Sequence, residues 1–206
     1  MVESGISGTK GYAEEAEELL VRYESFTFDD AHSAVLHLLP CTPGIVLDIG
    51  SGTGRDAAHF AKMGHRVVAV EPTDELRIPA SRMHPLPTID WLDDSLPDLK
   101  RLVALGEYFD LVMLTAVWMH LDATERARAM PVLASLVRPS GVIIMSLRHG
   151  PVPPGRRMFD VSAEETVELA RTERLRSVID AHTESGQEYN KRAGVTWTRL
   201  AFEKES

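Results

Sequence analysis

Cysteine is almost missing from the 206-residue chain: Cys41 stands alone. A single thiol excludes an internal disulfide framework and any cysteine-rich zinc or iron–sulfur site. Long apolar runs are missing as well; the longest are of strand length, far short of the roughly 20 residues needed to span a bilayer. The opening MVESGISGTKGYAEEAEELL has no basic stretch followed by an apolar one. That argues against a secretory signal and toward a soluble, cytoplasmic protein with no membrane partner. Positive charge is in deficit, with 22 Lys and Arg against 31 Asp and Glu and a net charge of -9. A sequence-independent grip on nucleic acid needs clustered cations and is therefore disfavoured. The histidines form no HExxH and no cluster with acids, so no metal site is expected. No G-x-S-x-G is present, which leaves serine hydrolysis without support. Apolar residues, in contrast, make up 44% of the chain, enough for one ordinary domain to build its core without staples.

The order of elements follows from periodicity and punctuation. Residues 1–11 read as a loose tail. Ala13, Ala16, Leu19, Leu20 and Tyr23 share one face of an amphipathic helix over 12–24. A second helix begins near Asp29–Asp30, carries Ala34, Val35, Leu38 and Leu39, and stops at Pro40. These two helices form a cap over 1–43, ahead of a core at 44–206. From residue 45, short apolar runs alternate with helical patterns. Strands are expected at 45–49, 66–70, 89–92, 109–114 and 141–147, and helices at 55–63, 122–138 and 162–173. Asp122 and Glu125 are spaced for a capping box, Ser162 is placed as a cap, and Pro131 should kink or split its helix. The proline-rich stretch 72–88 reads as loop with at most one short helix. Two late strands, 176–181 and 196–202, flank a polar loop at 183–194 that reads as having no helix, which favours an antiparallel pair. The fold expected is α/β: a doubly wound, mostly parallel seven-stranded sheet with the last strand antiparallel and helices on both faces.

The most informative segment is Val46-Leu47-Asp48-Ile49-Gly50-Ser51-Gly52-Thr53-Gly54. Its glycines permit a tight strand-to-helix turn and a close approach of backbone to a ligand. It is not a Walker A loop, since no GK[ST] follows. It also fails to complete G-x-G-x-x-G, because Arg55 stands where a dinucleotide fingerprint wants a small residue. Glu71 closes the second strand, where a carboxylate can accept both hydroxyls of a ribose. Turn and acid together point to a nucleoside more than to a phosphate.

These residues resemble the class I S-adenosylmethionine-dependent methyltransferases of the small bacterial kind. VLDIGSGTG at 46–54, VVAVEP at 67–72, FDLVMLTAVWMHL at 109–121 and LVRPSGVIIMSL at 136–147 match the family's motifs in order, and the likeness covers roughly residues 44–150. Departures are Pro139-Ser140-Gly141 in place of the usual Pro-Gly-Gly turn, and Pro131. The resemblance implies S-adenosyl-L-methionine as cofactor. By position, Gly50, Ser51, Gly52 and Gly54 would face its methionine part and sugar, with Asp48 steadying the loop. Glu71 would hold the ribose hydroxyls, and Pro72 and Thr73 would flank the adenine. Asp93, in preference to Asp94, would meet the adenine amino group, with the Leu92 amide beside it. Thr115 and Ala116 would lie under the sulfur.

Methyl transfer from a sulfonium is an in-line displacement helped mainly by proximity and orientation; a base is required only where the nucleophile must lose a proton. His120, after the fourth strand, is the candidate base, with helix packing as the plain alternative. Trp118 is a candidate pocket wall or else core. Arg148, with Arg156 and Arg157, can meet a carboxylate or phosphate of a small substrate, or simply be solvated. Tyr12, Tyr23 and Glu24 sit in a segment that resembles the lid of such enzymes. The expected function is methylation of an N or O nucleophile of a small, anionic metabolite. Methylation of protein or RNA, and a non-catalytic cofactor- or partner-binding module, are the alternatives. Monomer and homodimer are left open.

Overall fold

Three largely apolar runs, mostly buried on both faces and paired parallel, set the centre of the sheet: β1 (Ile45–Ile49), β2 (Arg66–Val70) and β4 (Phe109–Leu114). β3 (Ile89–Leu92), with Ile89 alone buried, pairs parallel to β2 as an edge strand. The computed structural model describes residues 7–206; residues 1–6 of the expected tail lie outside that range. The chain is already turned at Ser7–Thr9, so residues 7–11 are not the loose tail expected. The sheet is completed by β5 (Val137–His149), β6 (Leu175–Glu184) and β7 (Thr196–Lys204), in the order β3-β2-β1-β4-β5-β7-β6. β7 runs antiparallel to both neighbours. The seven-stranded, doubly wound sheet with its last strand reversed is therefore as expected. Its winding reverses between β1 and β4, and a crevice opens outside the carboxyl ends of these strands.

Helices cover both faces. On one, α1 (Ala16–Glu24) packs through Ala16 and Leu19 on Leu76 of α4 (Asp74–Met83). Next to them, Phe28 of α2 (Phe28–His32) and Phe60 of α3 (Arg55–Lys62) pack on Val46, Val67, Leu111 and Ile144. On the other face, α5 (Lys100–Ala104), α6 (Ala123–Leu136) and α7 (Ala163–Thr172) supply Leu102, Leu133 and Ala170 to a core with Leu47, Val68, Val112 and Ile143.

Several boundaries differ from the sequence reading. α4 is a helix of 10 residues through Pro79, longer than the one short helix expected in the proline-rich stretch. Its buried Leu76 and Ala80 hold it together despite the hydrogen bond that proline removes. α6 likewise continues through Pro131 without splitting, begun by the expected capping box of Asp122 and Glu125. α2 is short: Thr27 and Asp30 cap it, it ends at His32, and a separate turn at Leu36–Leu38 takes over. β5 starts at Val137, ahead of the expected residue 141, across a register shift opposite Phe109 and Leu111. The polar loop contains α8 (Glu188–Arg192), a helix the composition did not reveal.

Candidate active site

A cavity of about 870 Å³ lies over the carboxyl ends of β1, β2, β4 and β5. Its floor is the turn after β1. Gly50, Gly52 and Gly54 have φ of 66°, 55° and 81°, in the left-handed region that glycine enters without strain. A Cβ on Gly50 would stand 2.5 Å from Val117 Cγ2, and one on Gly54 2.4 Å from Trp91 Cη2. Gly52 is different: a Cβ there would meet only Tyr23 Cδ2, at 3.8 Å, on the cavity side. Four of the turn's amides are already engaged. Gly50 and Ser51 donate to the Val70 carbonyl at 2.8 and 3.0 Å, Gly54 to the Ser51 carbonyl at 2.9 Å, and Gly52 to Glu71 Oε2 at 2.9 Å. The loop thus presents bare backbone surface without a nest of free donors, which suits a neutral sugar better than a phosphate.

Glu71 closes β2, with Oε1 accepting from the Thr73 amide at 2.9 Å. It is 5% exposed, and burial pushes its pKa up. Each carboxylate oxygen has a second acceptor position, so two amide donors leave capacity for ligand hydroxyls. Beneath the turn, burial drives the Asp48 carboxyl well above the usual carboxylate range. Asp48 Oδ2 and Ser51 Oγ are buried, border the cavity and have no hydrogen-bond partner among the described residues.

A second acid holds the surrounding segments together. Asp56 Oδ2 accepts from His32 Nε2 at 2.7 Å and from the Thr115 hydroxyl at 2.9 Å; Arg55 holds Oδ1. Burial alone would raise the Asp56 pKa, but the facing His32 and Arg55 charges hold it far below the ordinary value. α2, the start of α3 and the end of β4 are so tied at one carboxylate. α1 is fastened to the glycine turn by Thr53, whose hydroxyl donates to Glu24 Oε1 at 2.5 Å.

At the far end of the cavity His120 follows β4 in a turn at Trp118–His120. The Arg157 carbonyl lies 2.8 Å from His120 Nδ1. A carbonyl only accepts, so Nδ1 carries the proton. Burial lowers the ring's pKa, with nearby Arg156, Arg157 and Arg148 acting in the same direction. The imidazole is therefore neutral, and Nε2 is free to accept from the Tyr12 hydroxyl at 3.0 Å. Burial raises the Tyr12 pKa far above the ordinary phenol value, which keeps it protonated. The Arg156 guanidinium lies 4.1 Å from the Tyr12 ring centroid and pairs with Glu15 at 2.7 Å.

The cavity brings together Asp48, Gly50, Ser51, Gly52, Glu71, Pro72, Thr73, Thr115, Ala116, His120 and Arg148. Ala116 holds a φ of 60°, a strained value for a residue with a Cβ; its amide donates to Ser146 Oγ at 2.8 Å. Gly54 stands behind the turn as the left-handed residue before α3. Three positions need correction. Trp118 does not wall the cavity: it is wholly buried, and its Nε1 donates to Thr166 in the opposite core. Asp93 faces away, ion-paired with Arg101, and Asp94 borders the cavity in its place. Leu92 is not among the lining residues; its carbonyl accepts the Glu71 amide within the β2–β3 pairing. Arg157 pairs with Asp122 and Glu125, and the Arg156 charge pairs with Glu15 through Nη2, although its buried Nη1 has no partner among the described residues. The sequence reading missed Arg199, Asn190 and the Asp56 cluster. A signal existed for Arg199, a lone cation inside the apolar alternation of β7.

Residues 46–141 match the family model for a methyltransferase domain. Over that stretch the chain matches a methyltransferase domain, and its sheet has the fold of S-adenosylmethionine-dependent methyltransferases. It is 31% identical over 115 residues to an uncharacterized methyltransferase of Mycobacterium tuberculosis, covering 52% of this chain and 41% of the relative. It is 28% identical over 103 residues to an uncharacterized methyltransferase of Alkaliphilus oremlandii, covering 50% and 45%. The chain thus spans less than half the length of these relatives. Among solved structures it is similar to a 1,6-didemethyltoxoflavin-N1-methyltransferase of Burkholderia thailandensis, at 21% identity, a TM-score of 0.73, and coverage of 95% of this chain and 86% of that one. The methyltransferase domain implies S-adenosyl-L-methionine, and the residues fit it. A carboxylate with spare acceptor capacity stands beside a Cβ-free turn, and three orphaned buried polar atoms, Asp48 Oδ2, Ser51 Oγ and Arg156 Nη1, belong to residues that border the same space. Among the described residues no group of three His, Cys, Asp or Glu is placed to hold a metal ion, and no helix is long and apolar enough to cross a membrane.

Proposed function

We propose that this protein transfers the methyl group of S-adenosyl-L-methionine to a nitrogen or oxygen nucleophile of a small metabolite. One observation carries this reading: a single cavity joins the glycine turn and Glu71 at one end to the neutral imidazole of His120 at the other. When bound, the cofactor supplies an electrophilic methyl carbon on a sulfonium sulfur. Glu71 would hold the ribose, Gly50 and Gly52 would allow close approach, and Asp94 would serve the adenine end. Thr115 and Ala116 would border the sulfur. Residues 8–26 and 151–158 contribute to the walls, excluding water and fixing the acceptor's approach.

His120 and Tyr12 supply the base where the nucleophile carries a proton. The proton moves from the nucleophile to the Tyr12 oxygen while Tyr12's own proton moves to His120 Nε2, and the Arg157 carbonyl steadies the resulting imidazolium through Nδ1–H. Covering segments over the cavity and a charge of -9 favour a small acceptor over a protein or RNA chain. The test is a transfer assay with methyl-labelled cofactor against panels of amines, phenols, carboxylates, RNA and protein. Label appearing in a small acceptor supports the reading. Label found only in macromolecules overturns the acceptor class, and cofactor binding with no transfer to any panel overturns the enzyme reading.

A further inference from the structure

Five arginines border the cavity among the described residues, and most are neutralised. Arg22 pairs with Glu18, Arg55 with Asp56, and Arg156 with Glu15. Arg148 has no carboxylate partner; its Nη1 donates only to the carbonyls of Pro151 at 2.8 Å and Gly150 at 3.4 Å. Arg199 has neither a carboxylate nor a carbonyl within hydrogen-bond distance among the described residues; its guanidinium carbon lies 5.3 Å from the Trp197 ring centroid, and the charges of Asp56 and Arg55 act on it from beyond hydrogen-bond reach.

The two cations share one face of one strand pair. Arg199 on β7 stands opposite Ser146 on β5, and Arg148 on β5 stands opposite Trp197 on β7. They are diagonal neighbours, with Cα atoms roughly 7–8 Å apart by sheet geometry, and both border the cavity. From there we infer that Arg148 and Arg199 form a clamp for an anionic group, a carboxylate or a phosphate, on the methyl acceptor. This deepens the proposed function by naming the acceptor's chemical class, and it rests on that reading.

Three observations support the clamp. A guanidinium removed from water without a partner is costly, and burial pushes the Arg199 pKa down to about 10. The plain stabilising choice at an inward position of β7 would be apolar, like its neighbours Leu200 and Ala201. The glycine turn is a poorer place for the anion, because the amides of Gly50, Ser51, Gly52 and Gly54 are already bonded. Finally, α8 brings Asn190 and Gln187 to the same cavity, and the Gln187 oxygen accepts from Asn190 Nδ2 at 2.8 Å. That bond leaves the Gln187 amide protons to complete a polar rim. Guanidinium forks match both carboxylate and phosphate oxygens.

The test is calorimetric titration of inorganic phosphate and of benzoate into the full chain, with and without S-adenosylhomocysteine, at fixed ionic strength. Wild type should bind at least one of the two, and the preferred probe separates phosphate from carboxylate acceptors. Arg199→Met and Arg148→Met should each weaken that binding about tenfold or more, and Arg199→Lys should restore part of it. Arg199→Met should not lower Tm, since it removes an unpaired charge, so failure to fold is not an escape. Absence of anion binding, or binding unchanged in both variants, overturns the clamp. A loss of S-adenosylhomocysteine affinity in Arg199→Met that spares methylthioadenosine also overturns it, because the guanidinium would then serve the cofactor's own carboxylate. Arginine-dependent anion binding without any S-adenosylhomocysteine binding would uphold the clamp and sink the methyltransferase reading instead.

Discussion

Replacing Glu71 with alanine is the most informative single perturbation. The carboxylate accepts the Gly52 amide with one oxygen and the Thr73 amide with the other, both at 2.9 Å, and is the group assigned to the ribose. A hydrogen bond to a charged group contributes about 1.5–3 kcal/mol net, and a buried donor left without an acceptor costs about 1–3 kcal/mol. Alanine should therefore weaken S-adenosylhomocysteine binding by about 1–3 kcal/mol, roughly 5- to 150-fold in Kd. It should also lower folding stability, because two amides flanking the site lose their acceptor. Calorimetry well below the variant's Tm separates the two effects. A pH series adds an independent reading. Burial raises the folded pKa of Glu71, so the carboxylate takes up its proton at a higher pH than an exposed glutamate does. Wild-type affinity should then fall on acidification earlier than ordinary glutamate titration would give, and the alanine variant should lack that limb. A folded Glu71→Ala protein with Kd within twofold of wild type would refute the ribose assignment.

Other outcomes follow from the same geometry. Gly50→Ala and Gly54→Ala combine positive φ with Cβ contacts of 2.5 and 2.4 Å and should lower stability by about 2 kcal/mol or more. Gly52→Ala, whose Cβ would meet only Tyr23 Cδ2 at 3.8 Å, should cost only about 1 kcal/mol while still weakening cofactor binding; equal Tm losses in all three would contradict this. Tyr12→Phe keeps the ring beside Arg156 and removes the hydroxyl on His120 Nε2, so kcat should fall by about 10²-fold or more with cofactor Kd unchanged; an unchanged kcat would remove the relay. Burial lowers the folded pKa of His120 below the ordinary 6.5, so its contribution to stability is present above that value and is lost as pH falls toward the folded one. His120→Gln should flatten part of that slope in acid melts, with His59, His65 and His149, lowered in the same direction, retaining the rest. His32→Ala removes one of Asp56's buried partners, at 2.7 Å, while Arg55 and Thr115 keep theirs, and should cost about 1–3 kcal/mol, read by denaturant melts.

What the sequence revealed and what it hid divide along physical lines. β1 to β4 are short apolar runs between glycines and acids, and their bounds could be read to the residue, as could the caps at Asp122 and Ser162. The full length of α4 was hidden because Pro79 and its neighbouring prolines outweigh local propensity, whereas the burial of Leu76 against α1 is a tertiary effect. α8 is five polar residues whose packing surface is the cavity rim, so no periodicity marks it. In the site, the turn and Glu71 were legible from spacing. Asp93 and Asp94 were not separable, because which carboxylate meets Arg101 depends on how the chain leaves β3. Trp118 looked like a pocket wall because it adjoins His120, yet the turn at 118–120 sends it to the other face of the sheet. Arg199 needed the β5–β7 register before its place opposite Ser146 could be known.

Amide chemical shifts recorded while S-adenosylhomocysteine is titrated into the protein test the site most directly. Saturation at one equivalent, with the largest changes at Ser51, Gly52, Thr73 and Asp94, is the expected result. Saturable binding that leaves those amides unmoved, or no binding at all, would contradict it.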